Sequence, residues 1–434
     1  MVKKKILLIN PSNPRFNKRL LPPLSLTTIA GYIPQNYDIE IVDNNLEKIN
    51  YDADLVAITI NTYTARRAYE ISERFIERNI PVILGGNHPT ILPNEAIKYC
   101  TAVVIGDGEI VWKQILKDFE SGRLKKRYKS GVFNFEHSKL PRRDLLQNRY
   151  FLESIETLRG CPFNCDFCSV TRFHGGKFRF KPLDFIEKEI ESLHRKNLFI
   201  VDDNLIGAGA TSLKRIIELL RLIKDYDLTW MGQASLNIAD EDIVLRLAQE
   251  SGCTFLFLGF ESINKRALAS FNKNVNLKRG VKSYRNIIDK IHDYGIDVMG
   301  SFIIGTDFDT KKSIYELRDF IQDSGIDIPN ITMLTPYPGT RLYEKLHSQN
   351  RLFNNSFWLE EPPPLIAFKP KNLEVDELLE IYYDLIISLN DLISSFRRFL
   401  DSFIRKRSIK NAVFSLAESL ITGRIFKKVI KENL

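Results

Sequence analysis

Short runs of almost wholly apolar residues recur along this chain, each followed by a stretch with helical spacing, and this rhythm constrains the fold more than any other feature. Residues 5–9, 39–42, 55–60, 82–84 and 102–105 are the first such runs. Apolar runs without alternation suit strands of a parallel sheet, because helices cover both faces. Between them, 65–77 carries Ala68, Ile71, Phe75 and Ile76 at helical spacing. The expected class is therefore α/β, with residues 1–120 forming a Rossmann-like or flavodoxin-like domain.

A polar, basic stretch at 121–130 and Pro141-Arg-Arg interrupt the rhythm, so 121–149 reads as a linker. A second series then begins, with strands expected at 156–158, 198–202, 229–233, 255–260, 297–304 and 330–334 and helical patterns such as 212–226 and 240–250 between them. Six parallel strands fit a partial (β/α)6 barrel over 150–345. Pro362-Pro-Pro marks a further boundary inside 346–434, a basic region expected to be helical. There Leu378, Tyr382, Leu385, Leu389, Leu392, Phe396, Phe399 and Phe403 alternate spacings of four and three, which predicts one long amphipathic helix.

An apolar share of 44% with 27% charged residues is that of a soluble globular chain long enough for two or three domains. The basic start at Lys3-Lys-Lys is followed by only four apolar residues before Asn10-Pro11, which reads as a strand and not a signal peptide. No run approaches the ~20 apolar residues of a membrane-crossing helix. The cytoplasm is the expected compartment.

The net charge of +8 is concentrated at one end: from residue 397 on, ten Lys and Arg stand against three Asp and Glu. Those cations are not interleaved with a nucleic-acid-binding module, which argues against nucleic acid as the partner. Ile404-Arg-Lys-Arg and Ile425-Phe-Lys-Lys set bulky apolar residues beside cations, and such a face can rest on an anionic membrane. The alternative is an apolar seam packed on the barrel with solvated charges outside.

Three of the five cysteines fall within eight residues, in Arg159-Gly-Cys161-Pro-Phe-Asn-Cys165-Asp-Phe-Cys168, just after an expected strand. That spacing makes a poor disulfide framework and a good metal-ligand set. Three thiolates can hold three irons of a cubane and leave the fourth open. A structural zinc site is the rival, but it needs a fourth ligand, and His174 is the nearest candidate.

The Cys-x-x-x-Cys-x-x-Cys run, with Phe167 before its last cysteine, resembles the radical S-adenosylmethionine superfamily. The resemblance implies that Cys161, Cys165 and Cys168 ligate a [4Fe–4S] cluster and that S-adenosylmethionine chelates the open iron through its methionyl amine and carboxylate. Reductive cleavage then yields a 5′-deoxyadenosyl radical that abstracts hydrogen. Asp202-Asp203-Asn204 stands where the superfamily carries a glycine-glycine-glutamate motif and offers acceptors to the methionyl ammonium. Gln233 and Ser235, then Glu261 and Ser262, resemble the ribose and carboxylate contacts. Gly305 resembles part of the adenine motif, and Pro336 belongs to the sixth-strand loop. Taken singly, such strings are most often turns or helix caps. Their order, one per strand end, is what gives them weight.

Four strand ends of the first domain carry glycines or small polar residues: Asn10-Pro11-Ser12, Thr59-Ile-Asn61-Thr62, Gly85-Gly86-Asn87-His88-Pro-Thr and Gly106-Asp-Gly108-Glu109. Such residues let a backbone approach a bulky, nucleotide-like cofactor, though helix–strand packing explains glycines equally well. Pro22-Pro-Leu-Ser-Leu followed by Gly-Gly-x-His-Pro-Thr and Gly-x-Gly-Glu, all ahead of the cysteines, resembles the cobalamin-binding radical S-adenosylmethionine subfamily as far as Arg341. On that resemblance, the four strand ends contact cobalamin. The Asp-x-His-x-x-Gly motif that places a histidine beneath cobalt is missing, so His88 receives no cobalt-ligand role. The subfamily binds cobalamin without such a histidine.

The resemblance further implies an enzyme that methylates an unactivated carbon of a small or lipid-like substrate, such as a lipid, isoprenoid or tetrapyrrole. It would work through the 5′-deoxyadenosyl radical and methylcobalamin, with a flavodoxin or ferredoxin as electron donor. Ring formation or rearrangement without methyl transfer is one alternative. A non-catalytic cobalamin or iron sensor is another.

Overall fold

The computed structural model describes residues 3–12, 19–146 and 150–406, together with Leu416 and Leu420. Strands β1 (Lys5–Asn10), β2 (Asp38–Asp43), β3 (Leu55–Thr59), β4 (Val82–Gly85), β5 (Ala102–Ile105) and β6 (Arg127–Lys129) form one parallel sheet in the order β2-β1-β3-β4-β5-β6. The first five follow the flavodoxin-like order, in which the winding reverses between β1 and β3. Alternate residues of β1 serve opposite faces. Ile6 and Leu8 pack with Leu26, Trp112 and Ile115 from the helices Leu24–Ala30 and Gly108–Glu120. Leu7 and Ile9 pack with Ala68, Ile71 and Phe75 of the helix Ala65–Ile76.

The stretch expected to be a linker contains β6, which extends this sheet beside β5. Tyr128 carries it: the ring is buried, and its hydroxyl donates to Asp118 Oδ2 at 2.9 Å. One inward side chain in a basic run is too little for periodicity to register.

The second sheet comprises β7 (Glu153–Ile155), β10 (Asn197–Ile200), β11 (Thr229–Ala234), β12 (Cys253–Glu261), β13 (Asp297–Ile304) and β14 (Ile328–Met333). Its six strands are parallel and adjacent in chain order, as a partial barrel requires. The first barrel strand lies three residues earlier than expected. The Asp202 carboxylate accepts from the backbone N–H groups of Thr157 and Leu158, taking them away from the sheet. Instead β8 (Leu158–Arg159) pairs antiparallel with β9 (Arg179–Phe180), a small ribbon bracketing the cysteine loop.

The predicted single long helix is two. The helix Val375–Leu389 ends at Asn390, and Asp391 Oδ1 then accepts from the Ser394 N–H at 2.6 Å to begin the helix Leu392–Lys406. The break divides the apolar seam: Leu378, Tyr382, Leu385 and Leu389 are buried on the barrel, whereas Leu392, Phe396 and Phe403 are exposed. Ahead of these helices, Phe357 and Trp358 return to the first sheet and bury in its core, with Trp358 Nε1 donating to Glu95. The basic residues past Lys406 lie outside the described residues.

The carboxyl ends of the two sheets meet. The Tyr63 hydroxyl donates to Thr335 Oγ1 (3.3 Å) and accepts from Tyr337 (3.1 Å), and Gly339 lies against Ile91 so closely that a β-carbon there would come within 2.7 Å of it.

Phe302 is fully buried and stacks on Phe260 with centroids 5.5 Å apart. Phe302→Ala is expected to lower the unfolding free energy by about 3–5 kcal/mol in a urea titration. Phe396→Ala, on the exposed helix face, is expected to change it by about 0.5 kcal/mol or less.

Candidate active site

The cysteine loop leaves the β8–β9 ribbon through Gly160, whose φ of +90° and close approach to the Lys177 carbonyl exclude any side chain. Beyond it the loop is pinned to two barrel strand ends. Asp166 N–H donates to the Phe271 carbonyl, Asp166 receives Arg341 at 2.6 Å, and Asn272 donates to the Asn164 carbonyl. Phe167 packs edge-on against Phe271. Cys161, Cys165 and Cys168 are all free thiols. Burial pushes Cys165 up to about 11 and Cys168 up to about 12, while Lys273 pulls Cys165 the other way. They are therefore neutral thiols that lose their protons to a metal on binding.

Three thiols on one pinned loop fit a [4Fe–4S] cluster with one open iron. The zinc reading finds no compact ligand set, because among the described residues His174 does not join the thiols in a group of ligand atoms within 4.8 Å of one another. His174 Nδ1 faces Arg179 at 3.2 Å, and burial together with Arg159 pushes the ring down to about 4. The other two cysteines lie on different elements, Cys100 beside β5 and Cys253 at the start of β12.

Around the cysteines, the expected S-adenosylmethionine residues divide. Asp203 is exposed, and its charge acts on Cys161 and Cys168. Asp202 departs from the expectation: it is buried and spends its carboxylate on Thr157 and Leu158. Asn204 is likewise internal, donating to the Ile206 carbonyl and accepting from the Ser235 N–H at 2.9 Å, although its amide also approaches Cys161 Sγ at 3.9 Å. Gln233 is half-buried, and Ser235 is buried at the end of β11. Ser262 Oγ accepts from the Asn264 N–H. Gly305, at φ +91°, packs against Met333, and Pro336 is buried.

Glu261 sits in the left-handed region at φ +63°, beside an irregularity in the β12–β13 pairing. Its side chain folds back over Gly259, where a β-carbon would come 2.4 Å from Oε1, and meets Lys273 Nζ at 2.7 Å. Lys273 was not legible in the sequence, since it lies in a polar Asn-Lys-Asn stretch that reads as surface. It is 9% exposed and is the buried cation beside the thiols.

At the first sheet, Asn10 donates to Asp43, Pro11 is buried and Ser12 is half-buried. Thr59 Oγ1 accepts from Ser25, and Asn61 caps the turn through Tyr63 and Thr64, with Thr62 buried inside it. Gly86 and Gly106 have positive φ, and β-carbons there would meet the Ile60 carbonyl at 2.7 Å and Ser130 Oγ at 2.4 Å. Gly108 faces Ile29 at 3.1 Å. These three glycines thus answer to packing within the domain.

His88 also departs from a ligand-facing place. Its ring is fully buried, with Nε2 2.9 Å from Glu95 and Trp358 edge-on. Thr59, Gly85 and the exposed Ser25, Asn61 and Asn87 remain along the carboxyl edge. This neutral set of hydroxyls, amides and backbone fits the amide-fringed corrin of cobalamin.

Glu109 is turned to the barrel. Arg159 Nη2 donates to Glu109 at 2.6 Å, Nη1 to Asp107 at 3.0 Å and Nε to Glu156 at 2.9 Å, while Arg179 shares Asp107 at 2.7 Å. The β5 loop of the first sheet is thereby held to the root of the cysteine loop.

Comparison with known proteins agrees with this layout. The B12 binding domain matches residues 18–116 and the Radical SAM superfamily residues 155–321. The chain is similar to the bacteriochlorophyllide d C-12(1)-methyltransferase of Chlorobaculum tepidum, at 31% identity over 389 residues covering 84% of this chain and 81% of that one. It is also similar to the hopanoid C-2 methylase of Rhodopseudomonas palustris, at 28% identity over 356 residues, 77% of this chain and 66% of that one. In fold it matches the cobalamin-dependent S-adenosylmethionine radical enzyme OxsB with a TM-score of 0.69 at 14% identity, covering 100% of this chain and 81% of that one.

Arg159→Met would leave the buried Glu109 without its cation and strip one of two cations from Asp107 and from Glu156. It is expected to cost about 3–5 kcal/mol of stability in denaturant titration. Cys165→Ala is expected to abolish the cluster's visible absorption after anaerobic iron and sulfide reconstitution while cobalamin still binds.

Proposed function

Because this chain belongs to the cobalamin-binding radical S-adenosylmethionine enzymes, we propose that it methylates an unactivated carbon of an apolar, ring-based substrate of the tetrapyrrole or polycyclic-lipid kind. The observation that carries this reading is the apposition of the two carboxyl edges through Tyr63, Thr335 and Tyr337, with the cysteine loop rooted at the same seam by Arg159. When bound, the cluster supplies reductive cleavage of S-adenosylmethionine, and cobalamin carries the methyl group.

The chain's own residues bind, orient and exclude water. Cys161, Cys165 and Cys168 ligate the cluster. Asp203 accepts from the methionyl ammonium, and Lys273, steadied by Glu261, receives the methionyl carboxylate. Gln233 and Ser262 line the ribose side, and Gly305 and Pro336 the adenine side. Asp202, Asn204 and Ser235 build the wall behind them. Ser12, Thr59, Asn61, Thr62, Gly85 and Asn87 hold cobalamin along the first sheet's edge, Asn10 and Pro11 shape the β1 end of that edge, and Gly86, His88, Gly106 and Gly108 support it from within. Methyl transfer to carbon calls for no general base. A flavodoxin or ferredoxin supplies electrons in the cytoplasm, and the basic C-terminal region brings the enzyme to the membrane surface where an apolar substrate resides.

Anaerobic reconstitution with iron, sulfide and hydroxocobalamin, followed by turnover with a bacteriochlorophyllide or hopanoid acceptor, tests the reading. S-adenosylhomocysteine and 5′-deoxyadenosine are expected together, in step with methylated product. Deoxyadenosine alone would overturn methylation. Asp203→Asn is expected to raise KM for S-adenosylmethionine about tenfold or more, as loss of a charge-assisted hydrogen bond would.

A further inference from the structure

The helix Leu392–Lys406 is built with its polar side inward. Ser395 and Ser402 are buried, Ser402 donates to Asp297 Oδ2 at 3.3 Å, and Arg398 donates to the Leu389 carbonyl at 2.6 Å. Asp297 opens β13. Next to it, Asp327 receives the Val298 N–H and His292, each at 2.8 Å, so the helix sits on a buried polar cluster at the amino end of the barrel strands.

That docking turns the apolar residues out. Leu392, Ile393, Phe396, Leu400, Phe403 and Ile404 are exposed, Ile393 at 81% and Leu392 at 73%. They fall within about 120° of the helix circumference at 3.6 residues per turn. Half of the exposed large apolar side chains among the described residues stand on this one helix, so they form a face and not a scatter. The face is bordered by the exposed Arg397, and the sequence runs on through Arg405, Lys406, Arg407 and Lys410.

We infer that this face lies in the interface of an anionic lipid bilayer, its apolar side chains among the acyl chains and its cations at the headgroups. Charge decides between occupants. The remaining 28 residues of the chain carry six Lys and Arg (Arg407, Lys410, Arg424, Lys427, Lys428 and Lys431) against two acidic residues, so a fold-back of that segment or a second copy of the helix would bring cations onto cations. An anionic surface meets them with opposite charge. The contact is at the end of the barrel away from the cysteines, so it holds the enzyme at the membrane while leaving the strand-end seam uncovered. The inference deepens the membrane contact proposed above and does not depend on the outcome of the methyl transfer.

Flotation of the reconstituted full chain with vesicles tests it. Binding to equal parts phosphatidylglycerol and phosphatidylcholine at low salt is expected, with little to phosphatidylcholine alone. Ile393→Glu with Phe396→Glu is expected to reduce the bound fraction at least tenfold, and Arg397→Gln about fivefold for one cation removed near the surface. Absence of flotation by the wild type would overturn the inference, as would equal flotation of the double variant. So would a wild-type dimer in solution that the double variant reduces to a monomer without any flotation. Cleavage of S-adenosylmethionine, measured on the same preparations without vesicles, reads the chemistry separately.

Discussion

The guanidinium of Arg159 is the hinge pin of this molecule. It is largely buried, which an isolated cation could not tolerate, and it remains charged because Asp107, Glu109 and Glu156 surround it. Two of those carboxylates come from the first sheet and one from the barrel, and Gly160 and Cys161 follow directly. Together with the Tyr63, Thr335 and Tyr337 hydroxyl contacts, the Arg159 side chain holds the spacing between the two cofactor edges. Arg179, Lys181 and Arg143 continue the alternation through Asp107, Glu156, Glu189 and Glu153. For a substrate that must react between two large cofactors, an error of an ångström in that spacing costs rate, and a charge network with fixed partners resists it.

A second constraint acts at the barrel mouth. Glu261 occupies a backbone conformation unusual for a residue with a side chain, and the pairing of its strand with β13 shifts at the same point. Strain of this kind survives only where the surroundings hold it. Here Gly259 gives the carboxylate room and Lys273 anchors it, so a buried cation is kept beside three thiols.

Much of this architecture was legible in the sequence because it rests on local patterns. Continuous apolar runs predict most strands of both parallel sheets to within a few residues, and the cysteine spacing singles out the loop that the β8–β9 ribbon brackets. What escaped was decided across the chain. β6 depends on one buried tyrosine, and the start of the barrel depends on Asp202 capturing two backbone donors from a segment 45 residues earlier. The seam from Leu378 to Phe403 looked continuous because spacing records which side of a helix is apolar, not whether that side faces in. Arg159 and Glu109 are charged residues that meet 50 residues apart in sequence, a pairing that no local pattern records.

Phe357 and Trp358 give the third part of the chain a role that its position after the barrel conceals. They fill the core beneath the first sheet and hydrogen-bond Glu95, which also holds His88 and Tyr69. The polypeptide therefore runs from nucleotide-type fold to barrel and back again, like a strap buckled to its own beginning. A gene fragment ending with the sixth barrel strand would encode both cofactor-binding units and still leave an open hydrophobic wound in the first, so the first unit is complete only with residues that follow the second.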